Sequence, residues 1–105
     1  SEYLKILSLA HTNFVPVVNH VWGSALSIAV NLHLLTAMPD IPGGLFPWKS
    51  MLEFDTNPKN IFITDLMEED FSVFDQVKSN GHVKAPERHG IGITPKKDFI
   101  KKFEI

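Results

Sequence analysis

The chain has 105 residues, 44% of them apolar and 21% charged, with 10 Lys plus Arg against 12 Asp plus Glu for a formal net charge of -2. That is enough chain for one hydrophobic core, and the near balance of charge argues against a basic face for nucleic acid or an anionic membrane. With no cysteine present, disulfides, thiolate nucleophiles and cysteine-ligated zinc or iron–sulfur sites are excluded.

The opening residues, Ser1-Glu2-Tyr3-Leu4-Lys5, lack the features of a signal peptide, and no run reaches the roughly 18 apolar residues of a membrane span. The chain does not begin with Met, as a processed or shortened chain would not. Tyr3, Leu4, Ile6, Leu7, Leu9 and Ala10 recur at helical spacing, and Asn13 is placed to end that helix. Phe14 to Val18 is β-branched and apolar apart from Pro16, which predicts a short buried strand with the proline near its start or at an irregular point. Such a strand needs neighbours.

Ser24, following a permissive Gly23, can cap a helix predicted over Ala25 to Met38 and stopped before Pro39. That helix is apolar on most of its circumference, so it is expected to pack on a larger structure than the rest of this chain supplies. Asp40 to Ser50 reads as a loop whose Leu45, Phe46 and Trp48 give it an apolar surface to dock. It serves either as a lid or pocket wall, or as a strap over the core.

Met51 to Asp55 is the second strand candidate, with Glu53 on the side of Met51 and opposite Leu52 and Phe54. A carboxylate there is costly in a central strand unless paired, and merely solvated at an edge. Ile61 to Met67 and Phe71 to Val77 show no clear period. Asn80-Gly81 signals a hairpin turn between short strands, and Ala85 to Ile93 an irregular crossing. A final helix is predicted over Lys96 to Phe103, with Phe99, Ile100 and Phe103 in one stripe.

No phosphate-cradling glycine loop, Gly-x-Ser-x-Gly elbow or His-Glu-x-x-His helix occurs, and Gly23-Ser24 is too short to stand for an elbow. His82 and His89 lie seven apart in a turn-rich stretch, with no third metal ligand indicated. His20 falls where the apolar run Val17-Val18-Asn19-His20-Val21 gives way to a helix start. It is a candidate proton-transfer residue if that run is a barrel strand, and a hydrogen-bonded packing residue otherwise. Glu53 is its best partner, because two parallel strands joined by the intervening helix form a βαβ unit that projects both side chains at one end.

Val18-Asn19-His20-Val21-Trp22-Gly23-Ser24, the helix to Pro39, Leu52-Glu53-Phe54-Asp55 with Asn57-Pro58, and Gly90-Ile91-Gly92-Ile93 together resemble the C-terminal part of the enolase superfamily. The likeness is to the mandelate racemase/muconate lactonizing enzyme subgroup, and within it to sugar-acid dehydratases and galactarolactone cycloisomerases. The fold class implied is α/β, the C-terminal portion of a modified (β/α)7β TIM-like barrel with a tail contributing to the capping domain. Residues 1–57 would hold the last two strand regions, 14–20 and 51–54, with their connecting helix, and residues 58–105 would return to the cap and end in a short helix.

The resemblance implies His20 as the group that moves the proton beside a substrate carboxylate, and Glu53 as the acid that stabilises the developing enediolate. Trp22, Phe46 and Trp48 become candidates for the substrate-pocket wall. It implies Mg²⁺ in the full-length parent, with the metal ligands, the opposing lysine and the aspartate behind the histidine on strands that this chain lacks; Asp55, Asp65 and Asp70 are not replacements for them. Asn19 stands where proline is common, and Arg88-His89 where Gly-Pro is common. The partners implied are the missing N-terminal part of the same protein, a sugar acid or lactone, and further copies in a homo-oligomer, in the cytoplasm and without nucleic acid or membrane. The fragment alone is expected to be inactive. The reading from a different class is a noncatalytic interaction or structural domain with His20 buried, Glu53 surface-paired and the apolar helix face on a partner chain.

Overall fold

The spacing of Tyr3, Leu7 and Ala10 winds the first segment into helix α1, Glu2–Thr12, whose Leu7 is buried while Leu4, Ile6 and Leu9 stay half exposed or more. The computed structural model describes residues 2–38, 49–55, 57–74 and 81–104, apart from the side chain of Phe71. Asn13 ends α1 as expected, its side-chain amide donating to the Leu9 carbonyl at 2.8 Å. Phe14 then turns through a φ of 56°.

The strand expected over Phe14 to Val18 does not form. The left-handed turn at Phe14, the missing amide of Pro16 and the absence of a neighbouring segment among the described residues leave these residues without a ladder. Phe14, Val15 and Val18 are accordingly exposed. The second expected strand, Met51 to Phe54, is likewise reduced to one pairing. Asn19 and Leu52 form an isolated parallel bridge, so the predicted direction is present and the continuous strands are not.

Helix α2, Ala25–Thr36, begins where Ser24 accepts from the Ser27 amide at 3.4 Å. A side chain at Gly23 would crowd the Ser27 hydroxyl at 3.2 Å. The helix ends two residues before the predicted Met38, because Ala37 and Met38 donate to the carbonyls of Leu34 and Leu35 and tighten the last turn. Its Ala25, Ile28, Ala29 and Leu32 form one core with Val21, Ile63, Met67, Phe74 and Ile93. Val30 remains exposed and Leu26, Leu34 and Leu35 half-buried, as a helix apolar around most of its surface requires when only one side is covered.

The tail contains a helix that showed no period in the sequence, α3, Ile61–Thr64, capped by the Asn60 side chain, and a 3-10 turn at Phe71–Val73. Met67 and Pro95 form an antiparallel bridge, flanked by Glu68 donating to the Thr94 carbonyl at 2.8 Å and Lys96 donating to Leu66 at 2.7 Å. The last helix, α4, spans Lys97–Lys101, shorter than predicted, with Phe99 turned inward and Phe103 half exposed. Asn80 and the first arm of the predicted hairpin lie outside the described residues. Gly81 has the left-handed φ of 73° that such a turn uses, but the residues after it enter no strand. The crossing closes at Gly92, whose φ of 82° brings it against Pro86. His33 Nε2 sits 3.1 Å from the Ile91 carbonyl and ties the crossing to α2.

Candidate active site

The bridge between Asn19 and Leu52 sets the register, and the next residue on each segment is one of the two candidate site residues, His20 and Glu53. His20 Nδ1 lies 2.5 Å from Glu53 Oε2, and the Val21 amide donates to the same oxygen at 2.9 Å. Glu53 Oε2 is thus fixed from the ring and from the backbone beside it. A carboxylate facing Nδ1 selects the form of histidine that carries a proton there, which in the neutral ring leaves Nε2 as the basic nitrogen. The His20 side chain is 74% exposed in this segment. The buried residue of this run is its neighbour Val21.

Alternation along extended chain places residues two apart on one side. Trp22 follows His20 on its exposed side and is itself 78% exposed in this segment. Trp22 and Asp55 line an open cleft of about 560 Å³ together with Gly23, Ser24, Asn57 and Asn60, although neither His20 nor Glu53 borders it. The floor of that cleft is cross-braced. Asp55 accepts from the Asn57 amide at 2.8 Å and from the Asn60 side chain at 3.1 Å, and Asn60 also donates to the Gly23 carbonyl at 3.2 Å. Asn57 entered the sequence reading only within the resemblance and Asn60 escaped it, although an Asp-x-Asn-Pro run followed by an asparagine before an apolar stretch is a turn and cap signal. Phe46 and Trp48 lie outside the described residues.

Among the described residues no three of His, Asp, Glu or Cys lie together as a group that could hold a metal ion. Ser24 is spent as a helix cap and forms no nucleophile elbow. No helix among the described residues is long and apolar enough to cross a membrane.

A second polar cluster lies on the tail. Glu69 accepts from the Thr94 amide at 2.8 Å, the Thr94 hydroxyl at 3.1 Å and Arg88 at 3.4 Å. Burial by itself would raise its pKa, but the Thr94 and Glu69 amides, the hydroxyl and the Arg88 charge outweigh it and hold the carboxyl below its ordinary value.

Comparison with known proteins places the geometry in a context. Residues 1–99 match the family described as enolase C-terminal domain-like. A D-galactarolactone cycloisomerase of Agrobacterium fabrum is 32% identical over 105 residues, which is all of this chain and 26% of that protein. The chain thus spans about a quarter of that relative. No solved structure matches.

Proposed function

The chain belongs to the enolase C-terminal domain-like family, and from that premise we propose that it supplies part of an active site that removes the proton beside a substrate carboxylate. The observation that carries the reading is the pairing of His20 Nδ1 with Glu53 at the only parallel bridge among the described residues. His20 Nε2 takes the proton, and the electrons of the broken C–H bond move toward the carboxylate carbon, so that negative charge gathers on the carboxylate oxygens. Glu53 holds the opposite ring nitrogen and balances the imidazolium that forms, as an orienting carboxylate does behind a histidine base. This orienting role is an alternative to the enediolate-stabilising role that the resemblance implies for Glu53, which calls for a protonated carboxyl and not for the carboxylate that balances an imidazolium.

The substrate class is a sugar acid or its lactone, in keeping with the name of the relative, and the product is that of a dehydratase or a cycloisomerase. Trp22 walls the pocket. Mg²⁺ would be held by the remainder of the full-length protein, since among the described residues no three possible ligands group to hold an ion. That remainder is also the partner without which this segment does not turn over, and the whole is expected to be a homo-oligomer.

The test is exchange of the α-proton of sugar acids with solvent deuterium, followed by NMR on the full-length protein with and without Mg²⁺. His20→Asn should lower exchange by about 10²–10⁴-fold, the usual contribution of a positioned general base. Unchanged exchange and turnover in that variant would sink the proposal.

A further inference from the structure

Asn19 faces away from the chemistry. Side chains alternate along extended backbone, so with His20 exposed on one side Asn19 points to the other, where the two long helices lie. There it is held from both. The Tyr3 hydroxyl of α1 donates to Asn19 Oδ1 at 3.0 Å, and Asn19 Nδ2 donates to Asn31 Oδ1 of α2 at 2.7 Å. Asn31 is itself fastened, its Nδ2 donating to the Ser27 carbonyl one turn back at 2.8 Å. Each amide donates from nitrogen and accepts on oxygen, so the chain of bonds is consistent in one orientation throughout. Met38 Sδ, at 3.3 Å from the same hydroxyl, is the weaker acceptor.

His20 and Glu53 meet one residue beyond the bridge of Asn19 with Leu52, and an ion pair of side chains does not fix its own geometry. The bridge is made by Asn19 itself, so whatever fixes Asn19 fixes the step from which His20 projects. We propose that Asn19, clamped between Tyr3 and Asn31, is a positioning residue that holds His20 Nδ1 against Glu53. The inference rests on the reading of His20 as the proton-transfer group only for its catalytic consequence; the geometric part stands by itself.

The experiment uses the full-length protein with 15N-labelled histidine, whose ring shifts report which nitrogen of His20 carries the proton. The unsubstituted protein should show the Nδ1–H form. Asn19→Leu, which keeps the size and removes both bonds, should give a mixture of tautomers and lower kcat for α-proton exchange by about tenfold or more with KM little changed. Tyr3→Phe removes a single hydroxyl, is the milder test should Asn19→Leu not fold, and should shift the tautomer in the same direction. Asn19→Asp keeps the acceptor for Tyr3 but sets a carboxylate oxygen against Asn31 Oδ1, whose Nδ2 is held by Ser27, so it should also lose the Nδ1–H form. A His20 that stays Nδ1–H in both Asn19→Leu and Tyr3→Phe overturns the positioning role. If the unsubstituted protein exchanges no α-proton while Asn19→Leu still disturbs the tautomer, the positioning role stands and the proton-transfer reading fails.

Discussion

Thr94 donates both its amide and its hydroxyl to the carboxylate of Glu69, at 2.8 and 3.1 Å, and thereby pins the start of the last helical segment to the end of α3's loop. The ionised form of Glu69 is the one the fold favours, since its pKa lies below the ordinary 4.5. Its stabilising contribution is therefore complete above that ordinary value and is lost as the pH falls through the lower, folded one. Glu69→Gln should cost about 1 kcal/mol at neutral pH, a modest figure for charged hydrogen bonds near solvent. It should also flatten the loss of stability below about pH 4.5. Urea unfolding of both proteins at neutral and acid pH reads the two effects.

Gly92 and Gly90 share a left-handed backbone but not a neighbourhood. A Cβ at Gly92 would strike the Pro86 ring and approach its carbonyl oxygen to 2.9 Å, whereas one at Gly90 meets nothing within 4 Å. Gly90→Ala should therefore cost about 1 kcal/mol from backbone strain alone. Gly92→Ala should cost about 3 kcal/mol or more, since backbone must shift as well. Comparison of the thermal midpoints of the two variants checks the order; equal losses would mean the crossing at Pro86 yields freely.

The aromatic group at the end of the chain separates burial from contact. Phe99 packs at 5.7 Å from Phe62 and 5.2 Å from Phe103 and is 7% exposed, while Phe103 is 53% exposed. Phe99→Ala should lose about 3–5 kcal/mol through cavity formation and lost transfer energy. Phe103→Ala should lose about 1 kcal/mol, the scale of an aromatic pair near solvent. Chemical denaturation midpoints distinguish them.

Glu53→Gln should separate catalysis from stability. The pair it forms with His20 is exposed on both sides, so its loss should change the unfolding free energy by about 0–1 kcal/mol. A neutral amide cannot balance the imidazolium, and α-proton exchange in the full-length protein should fall by about tenfold or more. A large stability loss with intact exchange would reverse the assignment.

The local chemistry of the chain was legible where it was dictated by near neighbours. Ser24 capping α2 and Asn13 closing α1 follow from the residues within one turn of each. The side on which Glu53 would lie followed from alternation, and its meeting with His20 is observed. The strand expected over Phe14 to Val18 has no ladder among the described residues because a strand is a relation between segments: an apolar β-branched run has no ladder until a second run lies beside it. Helix α3 was missed because four residues are too few to show a period, and only Asn60 marked its start. The Glu69–Thr94 clasp joins residues 25 apart, and nothing in either local sequence announces it.

Trp22 stands outside the cross-braced floor formed by Asp55, Asn60 and Gly23, with 78% of its surface exposed. Replacing it disturbs no buried contact, so its effect on folding should stay within the roughly 0.5 kcal/mol of ordinary surface positions. A side chain that borders a cleft without a buried contact in this segment is one whose replacement alters the rim and leaves the braced floor in place.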